Sequence, residues 1–273
     1  MKLCIHTFEL QLKHPFTISR GTRTRIPSLV VELQENGISG YGEATANPYY
    51  NTTTEDFAKK LLSRKEQIEI ENPGAPADFW NHLYPNFKED MFLLCALDEA
   101  YHDLYCKSRK LKVYEYWNLT PNSNLQSNYT IGIDSIEVML KKMKEADFPI
   151  YKIKLGTPDD LKIVRELRAQ SDAVFRIDAN CAWTPEETIS NAIDLKKLGV
   201  EFIEQPLPAD NWKGAKTVFE QSVLPIIADE SCIVDSDVAA CHTHFHGINI
   251  KLMKCVGLTP ALRMIQNDRK LNM

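Results

Sequence analysis

Amines and carboxylates stand at the ends of successive short apolar runs in this chain. Lys152 and Lys154 close YKIKLG, Asp178 closes FRID, Glu204 closes EFIE, Asp229 closes PIIAD, and Lys251 follows in INIKL. Each landmark lies roughly 25 residues beyond the last, the scale of one strand-plus-helix unit in a (β/α)8 barrel of ~250 residues. At the C-terminal strand ends of such a barrel, three carboxylates would converge and repel one another unless a cation neutralised them. An all-oxygen set of this kind suits Mg2+ better than Zn2+, and the lysines would flank it as candidate bases.

Taken singly, each signal has a plainer reading. Lys152 and Lys154, two apart in a strand, project from one face. Like charge and a nearby cation would lower a lysine's pKa toward ~7 to 8, where it acts as a base at neutral pH. A lone KxK is more simply two lysines reaching solvent, and a lone Asp after a strand is more simply a helix N-cap. The regular step from Lys154 to Lys251 favours a shared site. Lys251 falls four strands after Lys154, across an eight-stranded ring, so a substrate between them would present one face to each. Lys254, three residues on, competes for that role and reads as a loop or helix-start residue.

The elements that must carry these groups follow from pattern. From Tyr129 onward, β-branched runs alternate with helical stretches, the order of a parallel α/β architecture. The predicted strands are Tyr129 to Ile133, Tyr151 to Leu155, Val174 to Asp178, Phe202 to Glu204, Ile226 to Asp229 and Gly247 to Leu252. Thr184, Pro185 and Glu187 form a capping box opening a helix that Gly199 stops, and Thr259 with Pro260 repeats that opening. Residues 1–122 read instead as strands from Lys2 to Glu43, with a turn at Asn36 and Gly37, then helices around Thr54 to Glu66 and Phe92 to Lys107. This is an α+β domain preceding a second domain over 123–273.

Composition narrows the function classes. With 44% hydrophobic and 25% charged residues and a net charge of −5, the chain has ample core and lacks the basic footprint of a nucleic-acid binder. The longest apolar run, Met91 to Leu97, is far short of the ~20 residues of a membrane span. The opening MKLCIHTFEL has no apolar leader core, which points to a cytoplasmic protein with a small-molecule substrate. Seven cysteines without CxxC spacing read as free thiols. The alternation His242, His244, His246 could offer metal ligands, but a loop of hydrogen-bonded histidines is the simpler expectation.

With Lys152-Ile153-Lys154, Asp178-Ala179-Asn180, Glu204-Gln205-Pro206, Asp229-Glu230-Ser231 and Asn249-Ile250-Lys251-Leu252 assembled, the chain resembles the enolase superfamily. Within its muconate-lactonizing subgroup it is most similar to the dipeptide epimerases. The likeness runs from Phe16 to the C-terminus and includes GYGEA (Gly40 to Ala44) and ALDEAYHDLYCK (Ala96 to Lys107). The resemblance implies an α/β fold: a (β/α)7β TIM-type barrel beneath an N-terminal α+β capping domain. It implies Asp178, Glu204 and Asp229 as Mg2+ ligands, Lys154 and Lys251 as acid/base catalysts, and Lys152 as a hold on the substrate carboxylate. The expected reaction is epimerisation of a dipeptide by two-base 1,1-proton transfer through an enediolate. Two capping loops, Thr17 to Arg25 and Ala44 to Thr53, are expected over the mouth. Arg20, Tyr49 and Thr130 are the expected further substrate contacts; Arg23, Arg25, Asn47 and Tyr50 lie in the same loops. Six barrel strands are counted where family members have two more, so a fragment of a longer chain or an incomplete barrel is expected. Other reactions of the subgroup, o-succinylbenzoate synthesis or cycloisomerisation, stay open, as does a catalytically silent protein whose open sheet edges favour homo-oligomers.

Overall fold

The structure is a computed structural model that describes residues 1–18, 21–47, 51–121 and 125–273. The chain divides into two compact units whose segments alternate along the sequence. One comprises Met1–Lys13, Arg25–Ser123 and Ile250–Gln266; the other comprises His14–Thr24, Asn124–Asn249 and Asn267–Met273.

A three-stranded sheet of order β1-β2-β3 is built from β1 (Lys2–Ile18), β2 (Gly21–Glu35) and β3 (Ile38–Thr45). β2 and β3 form an antiparallel hairpin in which Glu35 faces Ile38. Asn36 and Gly37 both have positive φ, 50° and 78°, as a turn matched to the strand twist requires. The stretch Thr17 to Arg25, read as a loop, is mostly strand, because β1 runs to Ile18 and β2 restarts at Gly21. Its threonines Thr17, Thr22 and Thr24 are of the β-branched kind that favours strands.

In the first unit, β3 lies against the helix Met91–Ser108. The contact is close because Gly40 and Gly42, two apart on one face, carry no Cβ: one on Gly42 would sit 2.0 Å from the Ala96 carbonyl, and one on Gly40 2.2 Å from that of Ala100. The same helix satisfies the free edge of β3, since the N–H groups of Tyr41 and Glu43 donate to Asp103 (3.0 Å) and Glu99 (3.1 Å). A further helix over Pro76–Phe87 packs on it and has no counterpart in the sequence reading.

The second unit is organised by six strands, β4 (Tyr129–Ile131), β5 (Ile150–Lys154), β6 (Val174–Asp178), β7 (Val200–Glu204), β8 (Ile226–Ala228) and β9 (Gly247–Ile248). They form one sheet in the order β4-β5-β6-β7-β8-β9, all neighbours parallel. Sequential parallel strands joined by helices are the winding of a TIM-type barrel wall, as expected. The capping box at Thr184 is formed in both directions, at 2.8 and 3.2 Å, and Gly199 ends that helix region at φ 71°. Thr259 does not cap. It lies inside the helix Leu258–Leu271, in the first unit's part of the chain, and its N–H and hydroxyl both donate to Asp98 at 2.8 Å.

Candidate active site

The ends of β5, β6 and β7 lie side by side, with Lys154 opposite Asp178 and Asp178 opposite Glu204 in the ladder. Parallel pairing in this register carries the closing residue of each strand to one rim. The ladder continues past the strands, with Leu155 N–H on the Asp178 carbonyl (2.9 Å) and Ala179 N–H on that of Glu204 (3.2 Å), so the direction of the charged side chains is fixed by backbone.

Asp178, Glu204 and Asp229 are buried, at 0%, 3% and 0% exposure. One carboxylate oxygen from each lies within 4.8 Å of the others, and among the described residues no second such group of three comes together. Lys152 Nζ bridges Glu204 (2.5 Å) and Asp178 (2.8 Å), while Lys154 Nζ reaches the same Asp178 oxygen at 2.6 Å. Both lysines therefore leave β5 on one face, as their spacing predicts. Thr130 pairs with Lys152 in the β4–β5 ladder and lines a cavity of about 650 Å³ with Lys152 and Glu204.

The electrostatics separate the two lysines. Burial lowers the Lys154 pKa; Asp178 opposes this, and the Lys152 charge adds to it. Burial acts on Lys152 likewise, but two carboxylates, Asp178 and Glu204, outweigh it and raise its pKa. The second carboxylate hydrogen-bonded to Lys152 sets it apart from Lys154. Burial would raise Asp178, yet Lys154 and Lys152 hold it below the ordinary value. Glu204 is pushed up, by burial first and then by Asp178, with Lys152 opposing. Hard oxygen donors converging from neighbouring strand ends fit a divalent cation such as Mg2+.

Side chains without an assigned role in the sequence reading brace this rim. The buried Gln205 accepts from the N–H groups of Asp229 (2.9 Å) and Ser231 (3.1 Å) and donates to Leu207 O and Ser231 Oγ, both at 2.9 Å. Its four-point grip ties the end of β7 to the loop after β8, and its φ is +35°. Asp160 receives Gly156 and Thr157 N–H groups and the Trp183 indole N–H, joining the loop after β5 to that after β6. Asn249 donates to Glu204 Oε1 at 2.7 Å. The signal for Gln205 and Asn249 was their position inside quoted motifs.

Other expected residues fall elsewhere. β9 ends at Ile248, so Lys251 is not on a strand; it is exposed and stands at the N-cap of the short helix Leu252–Cys255. Only Gly247 and Ile248 find ladder partners on β8, which is why the strand stops early. Lys254, expected in a loop or helix start, is the third residue of that four-residue helix, and it is buried. Arg20, Tyr49 and Tyr50 lie outside the described residues. Arg25 pairs with Glu9 at 3.1 Å, both exposed. None of the seven cysteines forms a disulfide. His244 bonds to Ala240 O and Thr243, and His246 accepts from Ile226 N–H, so they behave as a hydrogen-bonded segment.

Residues 136–271 match the family described as enolase C-terminal domain-like, and residues 2–116 match the mandelate racemase / muconate lactonizing enzyme N-terminal domain. The chain belongs to the enolase superfamily, in this mandelate racemase and muconate-lactonizing group. It is 56% identical over 273 residues to the L-Ala-D/L-amino acid epimerase of Flavobacterium johnsoniae, spanning all of this chain and 81% of that protein. It is 35% identical over 276 residues to the L-Ala-D/L-Glu epimerase of Bacteroides thetaiotaomicron, spanning 100% of this chain and 72% of that one. Among solved structures it is similar to the dipeptide epimerase of Enterococcus faecalis V583 in complex with Mg and L-Leu-L-Tyr, with TM-score 0.92 and 29% identity over 100% of this chain and 80% of that one. With relatives of 56% and 52% identity that are epimerases, this chain is an isomerase of the epimerase kind. No helix among the described residues is long and apolar enough to cross a membrane.

Proposed function

We propose that the chain is a Mg2+-dependent dipeptide epimerase that inverts an α-carbon by moving a proton between two lysines. The observation that carries this reading is the pair of ammonium groups on β5, 2.5–2.8 Å from two of three buried, converging carboxylates. The relatives named L-Ala-D/L-amino acid epimerase support the substrate class.

Asp178, Glu204 and Asp229 would hold the cation, which when bound supplies a positive charge that makes a proton α to a carboxylate more acidic. Lys154, its pKa lowered by burial, takes the α-proton in its neutral form, and the C–H electron pair moves into the substrate carboxylate to give an enediolate. Lys152, held as an ammonium by its two carboxylates, pairs with the charge that develops there. Lys251, three residues beyond β9, returns a proton on the other face of the carbon. Thr130, beside Lys152 on the same rim, contributes a substrate contact.

The protein incubated with L-Ala-L-Glu and related dipeptides in D2O should lose the α-proton signal of one residue and gain the epimer. Lys154→Ala and Lys251→Ala should each block epimerisation while still exchanging one epimer, and the two variants should exchange opposite epimers. No α-deuteration of any dipeptide would sink the reading, and an inactive Lys254→Ala beside a normal Lys251→Ala would transfer the second role to Lys254.

A further inference from the structure

Asn249 opens the segment that carries Lys251, and the chemistry above leaves it without a task. Its backbone is fixed by an N–H donated to the Ala228 carbonyl at 2.7 Å, one step beyond the β9 pairing. From that anchor its side-chain Nδ2 donates to Glu204 Oε1 at 2.7 Å, while Lys152 Nζ donates to Glu204 Oε2 at 2.5 Å. An amide facing a carboxylate must present its NH2, since the carboxylate can only accept. Both oxygens of a buried carboxylate are thus held by donors from two strands of the sheet, β5 and the continuation of β9.

We propose that Asn249 is a positioning residue that restricts Glu204 to ligation through one oxygen and thereby selects Mg2+ over the larger Ca2+. This rests on reading Asp178, Glu204 and Asp229 as cation ligands. Mg2+ demands near-octahedral geometry at ~2.0–2.1 Å, whereas Ca2+ takes 6–8 oxygens at roughly 2.3–2.6 Å and accepts both oxygens of one carboxylate. The Asn249 amide draws Oε1 toward the segment after β9 and leaves the open lone pair of Oε2, beside Lys152, to meet the cation. Removing that amide lets Oε1 turn to the cation as well, a bidentate approach that the larger ion accommodates and the smaller one does not. Hydrogen-bonding partners of metal ligands commonly govern affinity in this manner.

The test is calorimetric titration of the metal-free protein with MgCl2 and with CaCl2, for the parent and Asn249→Ala. The Mg2+ dissociation constant should rise about tenfold or more, while that for Ca2+ stays within about twofold, so the Mg2+/Ca2+ preference falls about tenfold. Asn249→Leu, similar in shape and lacking the donor, should show the same change in ratio if the alanine variant folds poorly. Equal weakening of both cations, or no weakening of either, overturns the proposal, because loss of general structure would not discriminate between ions. A parent that binds neither cation would refute the cation reading itself, an outcome distinct from a parent that binds Mg2+ and a variant that binds it as well.

Discussion

Each unit of this protein carries a trio of acids on its central element, and the two trios have different fates. On the helix Met91–Ser108, Asp98 accepts from Thr259 N–H and hydroxyl, Glu99 from Glu43 N–H and Asp103 from Tyr41 N–H. Each carboxylate there satisfies backbone groups left over by a helix start or a sheet edge. In the second unit, Asp178, Glu204 and Asp229 converge on one another, and the groups that reach Asp178 and Glu204 are two ammoniums and an amide side chain as well as the Asn180 N–H. Burial alone therefore does not separate the two trios. Convergence of three acids on one another does.

The contrast predicts its largest effect at Asp178. Asp178→Asn keeps the shape and removes the charge, so the fold should survive while turnover falls at least about a thousandfold, or about 4 kcal/mol of transition-state stabilisation. Far-ultraviolet dichroism alongside a D2O exchange assay measures both. Near-normal turnover would take Asp178 out of the ligand set.

Asp98 should behave in the opposite manner. Asp98→Ala strands two buried donors of Thr259, each worth about 1–3 kcal/mol when unsatisfied, so urea unfolding should show a loss of roughly 3 kcal/mol. Mg2+ affinity of the folded variant should match the parent. If Asp98→Ala unfolds like the parent but no longer binds Mg2+, the separation between the two trios fails.

Gly42→Ala tests the contact that places the first trio against the sheet. A Cβ there would stand 2.0 Å from the Ala96 carbonyl, a backbone atom that cannot turn aside. Overpacking of this kind costs about 1–3 kcal/mol, again without a change in cation affinity. A variant as stable as the parent would mean that the helix can shift off β3 freely.

Much of the second trio was legible because short apolar runs ending in a charged residue are what the rim of a parallel sheet requires, and β5 to β8 carry that pattern. The helix over Pro76–Phe87 was not, since Gly74 and Pro76 read as breakers and Pro85 sits inside it, where the pattern argues against a helix. INIKL was misjudged for a different reason. A short apolar run does not distinguish strand from helix start, and here pairing ends at Ile248, which puts Lys251 at a helix N-cap. The braces made by Gln205, Asp160 and Asn249 depend on register between strands, which no local pattern carries. Lys152 and Lys154 look alike in sequence, yet Lys152 hydrogen-bonds two carboxylates and Lys154 one.

An effect that depends on pH comes from setting Glu32 against Glu204. Both are buried, at 7% and 3% exposure, yet Glu204 is raised by burial and neighbouring acids whereas Glu32 is lowered to about 2 by the donors Gln34, Ser39, His6 and Tyr41. A carboxylate whose pKa is about 2 when folded, against an ordinary value of 4.5, contributes stability in full above the higher value. That contribution is lost as pH falls toward the lower one. Glu32→Gln should therefore be less stable than the parent at pH 7, with the difference shrinking as the pH is lowered from about 4.5 toward about 2. Urea midpoints of parent and variant across that range provide the measurement. A difference that stays constant with pH would show that the four donors hold Glu32 by shape and not by charge, and that charge state does not distinguish it from Glu204.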